Sequence, residues 1–207
     1  MQDKLLIIDY GVGNIWSIKS ALDYLNYEYE ICNNPDQLSQ SGKIILPGVG
    51  SFRKAMVSLK SNGMDLAIKD AVLSKGTKIL GICLGMQLLA KHSIEDGHTE
   101  GLGLIPTEVK RFETTIHNKL KVPHMGFNKV FFQNNCKLFN GIKNSSYFYF
   151  VHSYYLLPKN EMINYSICNY DKNFLATYEK DNIFGAQFHP EKSQTNGLLL
   201  LNNFIKN

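Results

Sequence analysis

The chain lacks any grouping that would tie its cysteines together. Cys32, Cys83, Cys136 and Cys168 are scattered over 207 residues with no C-x-x-C pair. That spacing excludes a zinc ribbon or a redox dithiol and argues against a disulfide framework; reduced thiols suit a cytoplasmic protein. The six histidines include no H-x-x-x-H pair, so no helix-borne metal site is indicated. Charge is also sparse. Charged residues make up 19% of the chain, the formal net charge is +4, and Lys and Arg form no block. A nucleic-acid partner is therefore not expected. No apolar run approaches the ~20 residues of a membrane span. No basic leader with a following apolar segment opens the sequence, so neither a membrane nor secretion is expected. There is no G-x-x-x-x-G-K-[ST] for an ATP-binding P-loop. Internal repeats, low-complexity stretches and linkers are lacking too. With 44% hydrophobic residues, the expectation is one domain over residues 1–207.

What is present alternates. Lys4 to Ile8, Tyr27 to Cys32, Lys43 to Leu46 and Lys78 to Ile82 read as short buried strands. Between them lie helical periods: one capped by Asn14 and running to about Asn26, one from Ser51 to Leu59, one from Met64 to Leu73. Such alternation predicts an α/β fold with a mainly parallel central sheet covered on both faces. The second half changes character. Residues 107–112, 128–132, 147–157, 165–169, 174–179 and 183–188 read as strands with few helices between, which predicts an antiparallel or mixed extension of the sheet. A last helix is expected from Gln194 to Ile205.

Gly81-Ile82-Cys83-Leu84-Gly85-Met86-Gln87 carries the chemistry. It joins a strand to a helix through a sharp turn with Cys83 at the apex and glycines where neighbouring Cβ atoms would clash, the construction of a nucleophile elbow. The Leu84 N–H and the positive end of the helix then point at one spot, favouring a thiolate and later an oxyanion. An inert buried cysteine at a strand end, as in a flavodoxin-like binding module, is the competing reading. Pro47-Gly48-Val49-Gly50 leaves the third strand at the edge where sites collect in parallel sheets, and an N–H there could complete the oxyanion hole. Phe188-His189-Pro190-Glu191 ends the last strong strand. His189 and Glu191, two residues apart, can point the same way, the imidazole as base and acid and the carboxylate as its orienter. Gly11-Val12-Gly13-Asn14 imitates a dinucleotide fingerprint, but Trp16 stands where the third glycine belongs, so NAD binding is rejected.

Residues 81–87, together with Gln187-Phe188-His189-Pro190-Glu191, resemble the signature of the class I, triad-type glutamine amidotransferases. Segments 10–14, 46–50, 122–126 and 149–154 are similar to those of the glutaminase subunits of imidazole glycerol phosphate synthase, so the resemblance runs over almost the whole chain. It implies a flavodoxin-like three-layer sandwich and a Cys83–His189–Glu191 triad that hydrolyses L-glutamine. It places the oxyanion hole at Leu84 with Val49 or Gly50, and glutamine near Gly48, Gln87, His152, Ser153 and Tyr154. No metal or organic cofactor is implied. Ammonia would pass to a (β/α)8-barrel cyclase, forming a heterodimer that makes imidazole glycerol phosphate and AICAR for histidine biosynthesis. Asn14, Met125, Phe127, Tyr147, Tyr149 and Lys192 match positions at or near that interface, and an oxyanion-hole peptide held misoriented at rest would explain a glutaminase silent without its partner. One position departs: the family usually has Trp where this chain has Phe127, which keeps an aromatic contact but loses the indole N–H. The departure leaves open a paralogous role, donating ammonia to a surface-sugar (nucleotide-sugar or lipopolysaccharide) precursor.

Overall fold

A computed structural model describes residues 4–113, 120–132, 135–160 and 162–207. The chain begins with β1 (Lys4–Ile8), α1 (Ile15–Tyr24), β2 (Glu30–Cys32), β3 (Ser41–Leu46), α2 (Phe52–Ser61), α3 (Met64–Leu73), β4 (Lys78–Ile82) and α4 (Leu84–Leu88). Short strands β5 (His92–Ser93), β6 (Thr99–Glu100) and β7 (Val109–Arg111) follow. The remainder is β8 (His124–Phe132), β9 (Ser146–His152), β10 (Tyr154–Leu156), β11 (Asn164–Tyr170), β12 (Lys172–Lys180), β13 (Ile183–Ala186) and α5 (Gln194–Lys206).

Among the described residues nine strands form the main sheet, in the order β2-β1-β3-β4-β13-β12-β11-β8-β9. The pairings from β2 to β13 are parallel and those from β13 to β9 antiparallel. The continuous apolar runs follow from this position. In β1, Leu6 and Ile8 pack with α2 and α3 on one face, while Leu5 and Ile7 pack with α1 and α5 on the other. A strand buried on both faces cannot alternate with polar residues. Each such aliphatic side chain contributes about 1.5–3 kcal/mol of burial before chain entropy is subtracted. Two helix–sheet interfaces thus make the three layers.

Helix limits follow capping. Asn14 Oδ1 accepts from the Ser17 N–H, and Ser51 Oγ from the Lys54 N–H. The strand expected over 27–32 keeps only its last three residues. Two expected parts of the sheet extension lie elsewhere. The run 147–157 breaks at Ser153, whose carbonyl accepts from the Phe112 N–H at 3.0 Å. Beyond that break β10 pairs with β7 in a second, four-stranded sheet, β10-β7-β5-β6. That small sheet carries the segment from Ser153 to Leu156 alongside the elbow instead of along the main sheet edge.

Candidate active site

The elbow is a steric solution. Cys83 has φ +54° and ψ −110°, a strained conformation for a residue with a side chain. A Cβ at Gly85 would sit 1.8 Å from the Leu46 carbonyl oxygen, and one at Gly81 2.7 Å from Gly85 O and Met86 N. Only glycine lets α4 fold back onto the ends of β3 and β4. The strain is held by the Cys83 N–H, which donates to Ala186 O at 2.7 Å.

That same bond joins the two halves of the site. β4 and β13 run parallel with Gly81 opposite Gly185 and Ile82 opposite Ala186. Both strands therefore leave the sheet at one end, and the residues just beyond them, Cys83 and Gln187 to His189, meet although about a hundred positions separate them. After β13 the chain turns at Pro190, and Ser193 closes the turn by donating from Oγ to His189 O at 2.6 Å. Within that turn His189 Nδ1 and Glu191 Oε1 are 2.7 Å apart, with side chains 3% and 1% exposed. Burial by itself lowers the pKa of His189, but the Cys83 sulfur and the Glu191 carboxylate outweigh it and raise it to about 10. Among the described residues His189 Nε2 has no partner at full hydrogen-bond geometry. The Cys83 sulfur nonetheless raises the His189 pKa, more through hydrogen bonding than through its charge.

A cavity of about 400 Å³ opens over the sulfur. Cys83, Leu84 and Gln87 form one wall, Val49 and Gly50 a second, and Pro123 with residues 151–154 a third, with Glu95 completing the lining. Val49, Gly50 and Leu84, the expected oxyanion-hole residues, thus border the same cavity as Cys83. Gly48 does not line it: a Cβ there would meet the Tyr10 hydroxyl at 2.5 Å and Gly85 N at 3.0 Å. Its place is packing. Tyr10 is itself pinned, its hydroxyl donating to Pro47 O at 2.9 Å. Desolvation, then the nearby Cys83 and Asp9, raise the Tyr10 pKa, so the phenol stays a neutral donor.

Of the expected glutamine-binding residues, Ser153 and Tyr154 line the cavity with their carbonyls already bonded, to Phe112 and to Gln87, and the side chains of Gln87 and His152 are engaged as well. Gln87 Nε2 donates to Tyr154 O at 2.9 Å and to Gln187 Oε1 at 3.0 Å. His152 Nδ1 lies 2.7 Å from Tyr154 O, so it carries the proton. Its Nε2 then accepts from His124 Nδ1 at 3.1 Å. Desolvation lowers His152 to about 3 and His124 to about 4, which keeps both rings neutral and makes this a fixed wall.

Sequence reasoning missed three residues here. Glu95 sits between two-residue strands that have no readable period; the one available signal was Asp96-Gly97, a hairpin-turn dipeptide. Its Oε2 accepts from the Phe52 N–H at 2.8 Å, and burial raises its pKa. His124 and Gln187 fell inside segments already noted, without a role.

Four of the expected interface residues, Met125, Phe127, Tyr147 and Tyr149, share one face of β8 and β9 by strand alternation. Phe127 pairs with Tyr149 and Lys129 with Tyr147 across β8 and β9. Met125, Phe127 and Tyr147 face outward, 62%, 48% and 51% exposed, while Phe148 and Phe150 point into the core. Lys192 is exposed; Tyr149 and Asn14 are half-buried, and Asn14 is occupied in capping α1. Among the described residues no cluster of three His, Cys, Asp or Glu could hold a metal ion, and no helix is long and apolar enough to cross a membrane.

Comparison with known proteins fits this geometry. The family described as "Glutamine amidotransferase class-I" matches residues 6–207. The chain is 46% identical over 204 residues, 98% of its own length and 97% of the relative's, to imidazole glycerol phosphate synthase subunit HisH 1 of Parasynechococcus marenigrum. It is 46% identical over 200 residues, 97% of its length and 93% of the relative's, to subunit HisH of Moorella thermoacetica. Among solved structures, PurLQS from Thermotoga maritima superposes with a TM-score of 0.75 at 18% identity, covering 100% of this chain and 99% of that one, a likeness of fold.

Proposed function

The chain belongs to the class I glutamine amidotransferases, and we propose that it is the glutaminase subunit of an imidazole glycerol phosphate synthase. One observation carries the reaction: the Cys83 sulfur lies under the cavity, between the buried His189–Glu191 pair and the Val49–Gly50 and Leu84 backbone.

Glutamine enters with its side-chain amide toward Cys83. The Glu95 carboxylate, fixed by the Phe52 N–H, receives the α-ammonium group. His189 takes the thiol proton, and the sulfur attacks the carboxamide carbon. The tetrahedral oxyanion is held by the Leu84 N–H and a peptide N–H at Val49 or Gly50. The C–N bond breaks as His189 returns a proton to nitrogen, and ammonia leaves. His189 then removes a proton from water, which attacks the γ-glutamyl thioester; the C–S bond breaks, the electron pair returns to sulfur, and glutamate leaves. Glu191 holds the imidazole by Nδ1 throughout and stabilises its charged form.

Ammonia passes to a (β/α)8 cyclase docked over the face of Met125, Phe127, Tyr147, Tyr149, Asn14 and Lys192. Activation by that partner is a rotation of the Val49–Gly50 peptide. Gly48 is locked against Tyr10 and the elbow, whereas Gly50, at φ +95°, has no atom of the described residues within 4 Å of where a Cβ would stand. The near-complete coverage of the HisH relatives supports the histidine pathway. A surface-sugar acceptor rests on Phe127 alone.

The test is to mix the purified chain with its cognate barrel subunit and measure glutamate release with and without the histidine-pathway ribotide. Strong stimulation is expected. Stimulation only by a sugar nucleotide would favour the second acceptor, and no glutamate release under either condition would overturn the reading.

A further inference from the structure

Gln187 is fully buried next to the triad and has no part in the steps above. Its backbone is fixed by donation to Ala176 O at 2.8 Å. The orientation of its side-chain amide follows from a single acceptor. The Tyr154 carbonyl can only accept, so the Gln87 atom 2.9 Å away is its NH2. The same NH2 lies 3.0 Å from the Gln187 side chain, which must therefore present its carbonyl oxygen. The Gln187 NH2 is left facing Cys83 Sγ at 3.8 Å, within hydrogen-bond range of sulfur. Among the described residues the Val151 carbonyl also lies 3.9 Å from the sulfur and, as an acceptor, favours the protonated thiol.

We propose that the Gln187 amide is a catalytic donor to Cys83. It stabilises negative charge on the sulfur after the thiol proton has passed to His189, and again when the thioester C–S bond breaks and the electron pair returns to sulfur. No proton leaves Gln187 in either step. A neutral donor suits the position, since a third buried charge beside His189 and Glu191 would need its own compensation. Gln87 then acts as a positioning residue, holding Gln187 through its oxygen. This assignment rests on the amidotransferase reading of the same site.

Two variants separate donation from packing. Gln187→Met loses both contacts of the amide. Gln187→Glu keeps an oxygen to accept from Gln87 but sets a second oxygen against the sulfur. Iodoacetamide alkylation of the full chain at pH 8, read by peptide mass spectrometry, is expected to slow at Cys83 by about tenfold or more in both variants. Alkylation of Cys32, Cys136 and Cys168 should stay at wild-type rate, which reports an intact fold. With the cyclase partner, kcat for glutamate release should fall by a similar factor with KM unchanged, because Gln187 does not line the cavity. Wild-type alkylation of Cys83 in Gln187→Glu, with or without loss in Gln187→Met, would overturn the proposal. Failure of the wild-type chain to turn over glutamine would instead strike the parent reading, since the alkylation does not depend on glutamine.

Discussion

Replacing Glu191 by Gln probes the buried pair most sharply, because the substitution keeps shape and removes only charge. His189 and Glu191 are 2.7 Å apart with side chains 3% and 1% exposed, so solvent screens the pair little. The His189 pKa rises from 6.5 to about 10 against the opposing effect of burial. Cys83 and Glu191 share that rise. Removing the charge from one partner of a buried hydrogen-bonded pair such as His189 and Glu191 should cost about 2 kcal/mol at pH 7, the usual worth of a hydrogen bond to a charged group. A folded-state pKa above the unfolded one stabilises fully below pH 6.5 and is lost as pH climbs through about 10. The variant should therefore melt about 4–8 °C below wild type at pH 7, given the size of this chain. The gap should close as pH approaches 10. Activity should fall more than stability: a mispositioned acid–base group costs about a hundredfold or more in kcat. Differential scanning calorimetry from pH 6 to 10 and partner-stimulated glutamate release make the assay. A melting gap independent of pH, or kcat within about threefold of wild type, would refute the reasoning.

Three further variants test separate parts of the site. Gly85→Ala should destabilise the fold by about 3 kcal/mol or more, since the new Cβ meets a backbone oxygen that cannot move away; urea denaturation at wild-type stability would contradict the elbow packing. Gly50→Val should cost about 1–2 kcal/mol of stability, because a side chain is strained at φ +95° whatever the space around it, and should cut partner-stimulated glutaminase activity about tenfold, because a β-branched residue restricts rotation of the peptide; undiminished stimulation would remove Gly50 from activation. Glu95→Gln should raise the KM for glutamine about tenfold or more, the worth of a charged hydrogen bond. In wild type that KM should climb on acidification at a pH above the ordinary carboxylate range, because burial raises the Glu95 pKa, and the Gln variant should lose this dependence.

The legible parts of the sequence were those where one force dominates. β4 and α3 begin and end where the residues say, because an uninterrupted apolar run or a 3.6-residue period fixes them. The elbow and the His189-Pro190-Glu191 turn were readable because strain and proline leave marks in residue type. The small sheet was not. β5 and β6 hold two residues each, too few for any period, and with them went Glu95. The break at Ser153 is set by a bond from Phe112, a contact forty residues away that no local pattern encodes. Gln87 and His152 line the cavity, but their polar atoms are committed to Tyr154, Gln187 and His124. Residue type alone cannot tell a substrate donor from a buried brace.

The central claim is that Cys83, and none of the other three thiols, is the nucleophile that bonds to the glutamine side chain. Incubating the chain and its barrel partner with a diazo-ketone analogue of glutamine, then mapping adducts by mass spectrometry, tests it directly. The account predicts modification of Cys83 with loss of glutamate release, and Cys32, Cys136 and Cys168 left unmodified. Inactivation with the adduct on another residue, or full activity with Cys83 modified, would contradict it.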